Sequence, residues 1–259
     1  MADGIRLSLA TMRAVFPSAP EVIINAFVEK QGELTVVGVN RSRQRLAYCF
    51  ANLHAETAEF TIKNLTENIN YTAARMAQVW PNRFASAAAV QARYGTAPGW
   101  QAKAFDDIYG NRMGNRTGTS DGSCFIGRGG PQITGRDGYM EIGRRIGVDL
   151  VDNPELASSP ALQPDIAAAF WDWKGMNRFA DAGDFISCVK AWNGGTNGLV
   201  ERQAQLARIL PILQMAERGE AIAAPVKPPP DPISVSTSAS QPSAWAAFFM
   251  AIARLLRRA

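Results

Sequence analysis

The sequence predicts a mainly α-helical domain of two lobes flanking a loop-rich groove, and three observations carry that expectation. Apolar residues between about Ser8 and Phe84 recur at three- and four-residue spacing, as in Val22, Ile23, Ala26 and Phe27 and again in Leu46, Ala47, Phe50 and Leu53, the stripe of an amphipathic helix. A second helical set runs from Pro164 to Gly175 and from Leu199 to Arg218, with Pro164 and Asp165 suited to a first turn. Between them, Gly110 to Tyr139 is dense in Gly, Asn, Asp, Ser and Thr and has no helical period, so it reads as loop or short strand. The two helical regions are expected to form the two lobes. The irregular segment is expected to carry substrate contacts, because long loops inside compact domains are usually functional.

The chain has 259 residues, 47% of them apolar, enough for one main domain, which is expected to span residues 1–219. Within it, Thr35-Val36-Val37-Gly38-Val39 is rich in β-branched residues and is expected as a connecting loop with a few extended residues. After Gly219 the composition changes: Pro225 to Pro232 is proline-heavy and Ser234 to Ser243 is rich in Ser and Thr, so residues 220–243 read as an extended linker. In residues 244–259, Trp245, Phe248, Phe249, Ile252, Leu255 and Leu256 follow helical spacing, and Arg254, Arg257 and Arg258 gather at the end. This is the pattern of a cationic amphipathic helix, too short to span a bilayer. Two readings stay open for it: contact with an anionic membrane surface, or docking against the domain or another copy.

Lys and Arg exceed Asp and Glu by 27 to 23, giving a net charge of +4 and an isoelectric point near 9.1, a balance that suits anionic partners. Nucleic acid is not expected, because no basic run with interleaved aromatics precedes the last few residues. Cys49, Cys124 and Cys188 are too widely spaced for a disulfide framework or a zinc site; they are expected as buried thiols, with no metal or organic cofactor. The segment from Met1 to Phe16 carries Asp3, Arg6 and Arg13 and lacks the apolar run of a secretory signal. The chain is therefore expected to be made and kept in the cytoplasm unless something else releases it, and to be a monomer.

Cutting a glycosidic bond needs an acid to protonate the departing oxygen and, in an inverting enzyme, a second carboxylate to activate water from the opposite face. Glu56, near the end of an apolar helical run, is expected to be partly desolvated, which raises a carboxyl pKa. Glu67, among Asn and Thr in Asn64-Leu65-Thr66-Glu67-Asn68, is expected in a polar turn that favours its ionised form. On spacing alone, both are better read as solvated helix-end charges, and Glu59 has the same status and is weaker still as a candidate.

The surroundings of these acids carry more. His54-Ala55-Glu56-Thr57, Glu67-Asn68-Ile69-Asn70-Tyr71-Thr72-Ala73, Tyr109-Gly110-Asn111-Arg112-Met113-Gly114-Asn115, the run Gly127-Arg128-Gly129-Gly130-Pro131-Gln132-Ile133-Thr134-Gly135-Arg136-Asp137-Gly138-Tyr139, and Ala180-Asp181-Ala182-Gly183-Asp184-Phe185 leading into Asn193-Gly194-Gly195-Thr196-Asn197-Gly198 follow one another over roughly Ala47 to Arg208. In this order they resemble glycoside hydrolase family 19, in its phage endolysin and bacterial chitinase-like branch. The resemblance implies a lysozyme-like helical fold, with Glu56 as general acid and Glu67 as the base that orients water. It implies further that Thr134 helps hold that water, and that Gln132 and Asn193 bind sugar hydroxyl or N-acetyl groups. Tyr71 and Tyr109 are candidates to line the sugar groove. Arg202 is a candidate partner for a groove carboxylate, with surface charge as its plain alternative. His54 is grouped with the substrate-binding residues, though its expected job is structural hydrogen bonding. Trp171 and Trp173 are expected in the core or at its boundary.

What the resemblance implies in function is hydrolysis, with inversion, of β-1,4 bonds in peptidoglycan, as in a phage lysis enzyme freed to the wall by a separate pore protein. The alternative substrate is chitin, which shares the N-acetylglucosamine repeat. Outside enzymes, the alternatives are a wall-binding module or a membrane-permeabilising protein.

Overall fold

A computed structural model of the chain describes residues 4–222. The expected tail helix at 244–259 and nearly all of the expected linker at 220–243 lie outside the described residues. Within them the chain is helical, without a named strand: α1 Leu9–Val15, α2 Glu21–Glu29, α3 Gln31–Val36, α4 Arg43–Thr57, α5 Ala73–Val79, α6 Ala87–Tyr94, α7 Trp100–Tyr109, α8 Asp121–Cys124, α9 Gly135–Ile146, α10 Gln163–Trp173, α11 Asn177–Asp181, α12 Phe185–Asn193 and α13 Leu199–Glu217. None of these helices is long and apolar enough to cross a membrane.

Local chemistry sets the ends of the helices that matter for the site. The Ser42 hydroxyl accepts from Arg45 N–H and caps α4, whose C-cap, Ala58, takes a left-handed conformation. Pro164 lies in the first turn of α10 with Asp165 beside it, where a missing N–H costs nothing and a carboxylate faces the positive helix end.

Two hydrophobic clusters organise these helices. The larger joins α1–α4 with α9–α13 and holds Phe16, Phe27, Phe50, Tyr139 and Trp171 at its centre. Each large side chain removed from water there contributes about 1.5–3 kcal/mol. The smaller collects Met76, Val79, Trp80, Phe84, Val90, Phe105, Ile108 and Tyr109 from α5–α7. Two lobes are therefore present, but the sequence-based division between them is corrected: α4 and α13, expected in different lobes, share the larger core. What the chain inserts between the large core's two halves is the small lobe.

Two local expectations also change, and the one for Trp171 and Trp173 holds. Thr35 and Val36 close α3, so packing of Leu34 into the core overrides their β preference. Gly110 to Tyr139 is mostly irregular but includes α8 and the first turns of α9. Its extended part is small: Arg128 bridges Thr66 on one side and Ile133 on the other. Trp171 is fully buried, with its Nε1–H donating to Asn177 Oδ1 at 2.7 Å, while Trp173 packs at the edge of the core.

Candidate active site

The chain crosses from the large core to the small one between Leu65 and Ile69 and returns for good between Ile126 and Ile133. Glu67 and Gly127 face each other on this seam. Glu67 N–H donates to Gly127 O at 2.8 Å, and Gly127 N–H donates to Glu67 Oε2 at 3.0 Å. The polar, ionising turn expected for Glu67 is corrected: only 5% of the residue is exposed, and its Oε1 is buried with no hydrogen-bond partner among the described residues. Burial pushes its carboxyl up to about 8, against the opposing pull of the Gly127 hydrogen bond and the Arg128 charge.

Gln132 and Thr134 converge on the same spot. A methyl group placed on Gly127 would come within 2.5 Å of Gln132 Oε1 and 3.5 Å of both Glu67 Oε2 and Thr134 Oγ1, so glycine here is what lets three polar side chains crowd one backbone face. Gln132, itself in the left-handed region at φ +59°, donates from Nε2 to Gly129 O at 2.8 Å. Thr134 Oγ1 donates to Gln132 O at 3.0 Å. The hairpin that carries them is braced from behind. Arg128 Nη1 donates to Cys124 O and to the Tyr139 hydroxyl, which in turn donates to Ile126 O. Gln163 Oε1 accepts from Gly130 N–H at 2.7 Å.

Tyr71 and Tyr109 approach the same carboxyl from the small lobe. Burial first, and the Glu67 charge second, push the Tyr71 phenol up to about 12 and the Tyr109 phenol well above its ordinary value. Tyr109 packs in the small core with 4% exposure; Tyr71 is half-buried against Trp80 and Phe105.

Glu56 lies one residue before the end of α4, on the face that meets α13. Arg202 Nη2 donates to Glu56 Oε1, and both side chains are nearly inaccessible to solvent. The same guanidinium donates through Nη1 to Asn52 Oδ1 at 2.7 Å, and Asn52 Nδ2 donates to Tyr48 O at 2.8 Å. Asn52, one helical turn before Glu56, escaped the sequence reading, although a fully buried amide on an otherwise apolar stripe marks such a partner.

Two candidates are engaged elsewhere. His54, two positions before Glu56, faces Glu59 at 3.0 Å and stacks on Phe16. This is a packing contact, not one with the carboxyl pair, and burial lowers the imidazole pKa. Asn193 ends α12, donating from Nδ2 to Asn197 O at 3.1 Å and accepting at Oδ1 from Gly195 N–H at 3.0 Å. Its amide shapes the turn that leads into Arg202.

The site thus holds two buried glutamates on separate elements of a helical frame, Glu56 paired with Arg202 and Glu67 desolvated between the two cores. Comparison with known proteins gives the family. The family model for class I chitinase, glycoside hydrolase family 19, matches residues 66–194, a span holding Glu67, Gln132, Thr134 and Asn193 but not Glu56. A glycosyl hydrolase family 19 domain-containing protein of Haemophilus influenzae is 30% identical over 200 residues, 76% of this chain and 92% of that protein. The acidic 27 kDa endochitinase of Solanum lycopersicum is 43% identical over 58 residues, 22% of this chain and 23% of that enzyme. Among solved structures, chitinase C from Streptomyces griseus superposes with a TM-score of 0.51 at 16% identity, covering 82% of this chain and 95% of that one; at that identity the likeness concerns the fold. The chain belongs to glycoside hydrolase family 19 and is a glycosidase.

Proposed function

We propose that this glycosidase cleaves the β-1,4 bonds of peptidoglycan with inversion, as a lysis enzyme does, using Glu56 and Glu67 as its acid and base pair. The observation that carries the pairing is that both carboxyls are buried in unlike settings, one against a cation and one in an apolar seam, which is how a protein separates two acids into donor and acceptor. The roles are those the family resemblance implies: Glu56 protonates the departing oxygen. Glu67, with Thr134 beside it, orients and deprotonates the attacking water. Gln132, whose Oε1 lies beside Gly127 and Glu67, offers its amide to the sugar's hydroxyl and N-acetyl substituents, whereas both amide atoms of Asn193 are taken up by its own turn.

Support for peptidoglycan comes from the net charge of +4 and from the arginine-rich, apolar stretch at 244–259, both suited to an anionic envelope. On this reading the chain acts at the wall after release, and the stretch at 244–259 contacts the membrane surface. Chitin is the second reading, favoured by the names of the plant and Streptomyces relatives. The experiment is turnover of purified peptidoglycan against chitin oligomers by the full chain, with Glu56→Gln as control. Peptidoglycan should be the faster substrate; preference for chitin oligomers transfers the assignment to the second reading. Inversion is read separately from the anomer first formed, by proton NMR.

A second assignment of roles within the pair is favoured by the proton that Glu67 keeps up to about 8, which suits a donor. The pH profile separates the two. A base must lose its proton, so with Glu67 as base kcat/KM rises as pH climbs through the Glu67 pKa. With Glu67 as donor it falls there.

A further inference from the structure

Between Glu56 and Glu67 the chain turns through Ala58, Glu59 and Phe60 at φ +45°, +62° and +60°, a region that residues bearing a Cβ seldom adopt even singly. Such a turn persists only where its surroundings over-determine it. Phe60 is fixed by the rings of Phe16 and Phe27, with centroids 5.3 and 5.8 Å away. Glu59 is fixed by hydrogen bonds: Oε1 lies 3.0 Å from His54 Nε2, and Oε2 accepts the Ser18 N–H at 2.7 Å. One carboxylate thus ties the last turn of α4 to the loop between α1 and α2. Burial opposes its ionisation, yet the Ser18 and His54 contacts together hold it below its ordinary pKa, so the clamp is charged at neutral pH. Beyond the turn Ile62 and Asn64 border an open pocket of about 370 Å³, while Phe60 and Leu65 are anchored in the large core. The connection is held at both ends. One end is the hairpin, where Leu65 O accepts from Gly129 N–H at 2.9 Å. The other is the turn.

We propose that Glu59 is a positioning residue whose two-sided clamp holds this left-handed turn and thereby fixes where Glu67 stands relative to Glu56. The inference rests on the reading of Glu56 and Glu67 as the catalytic pair. Its test uses the full chain with E59A, E59G and E59Q, measuring kcat and KM on the glycan the wild type cleaves and following the Glu67 carboxyl titration by carbon-13 NMR. E59A and E59G should lose at least tenfold in kcat with KM within twofold, and should move the Glu67 titration midpoint. E59Q, which keeps the length and a hydrogen-bonding atom at each position, should retain at least a third of kcat and leave the midpoint in place. Should E59A fail to fold, E59G carries the comparison, because glycine meets no penalty at this φ. The inference is overturned by a folded E59A or E59G with wild-type kcat and an unmoved midpoint, by a loss confined to KM, or by an E59Q as impaired as E59A. A wild type that cleaves neither peptidoglycan nor chitin oligomers defeats the catalytic reading instead, and the NMR midpoints then decide the clamp.

Discussion

Glu67, the proposed catalytic base, is a buried carboxyl that works against the stability of its own fold. Its carboxyl is raised from 4.5 to about 8 by burial, so between those pH values the folded chain keeps a proton that the unfolded chain releases. Stability contributed by the protonated form is present at low pH and is lost as pH rises through that window. Glu67→Gln removes the loss and should therefore stabilise the fold above pH 8, by about 5 kcal/mol as an upper bound, while changing little near pH 4. Melting temperatures of the two proteins across that range check it; parallel curves would show that Glu67 is not buried as described. Gly127 gives a second residue-level expectation. Gly127→Ala drives a methyl into Gln132 Oε1 beside Glu67 and should lower kcat/KM at least tenfold; unchanged turnover would mean that Gln132 gives way freely. The sequence shows Glu67 among polar neighbours, and its burial is invisible there because the lid over it, Gly127, lies sixty residues further along the chain.

At the scale of elements, the α4–α13 contact concentrates both packing and polarity. Arg202 reaches Glu56 and Asn52 in an interior where an unpaired charge is costly. Arg202→Met leaves the Glu56 carboxyl buried without its cation and should destabilise by about 3–5 kcal/mol. Adding Glu56→Gln to it should restore much of that loss, and urea unfolding of the single and double variants measures the coupling. Additive effects would mean that the pair is not the unit seen here. The helices themselves were legible to different degrees. Pro164 and Asp165 mark the start of α10, and the spacing of Leu46, Ala47, Phe50 and Leu53 marks α4. Phe185, Cys188, Val189 and Trp192 form an equally clear buried stripe in α12, overlooked because the segment was read for its motif. Helix α9 hides behind Gly135, Gly138 and Gly143, which suggest a loop; Gly143 stands where any side chain would strike Val148 O, so tertiary packing, not helix propensity, selects it.

At the scale of the whole molecule, the last helix among the described residues, α13, closes at Glu217, ahead of the proline-rich stretch. A chain ending at Gly219 should fold with an unchanged melting temperature and retain release of reducing ends from purified walls, while losing any action on intact membranes. Loss of wall hydrolysis in that truncation would make the C-terminal stretch part of the catalytic unit. The lobe division shows why topology resisted the sequence: periodicity reveals that two segments are helical but not that segments some 150 residues apart share one core, as Asn52 and Arg202 do. The family's ordered motifs, by contrast, survive as a linear signal, and they brought Glu67, Gln132 and Thr134 into view before any coordinates.

The most direct test of the account is the release of reducing ends from purified peptidoglycan by the full-length chain and by Glu56→Gln, with circular dichroism confirming equal helix content. The account predicts steady release by the wild type and a rate at least a thousandfold lower in the folded variant, on the order of what loss of an essential proton donor removes. A folded Glu56→Gln that still opens the glycan at the wild-type rate would contradict it.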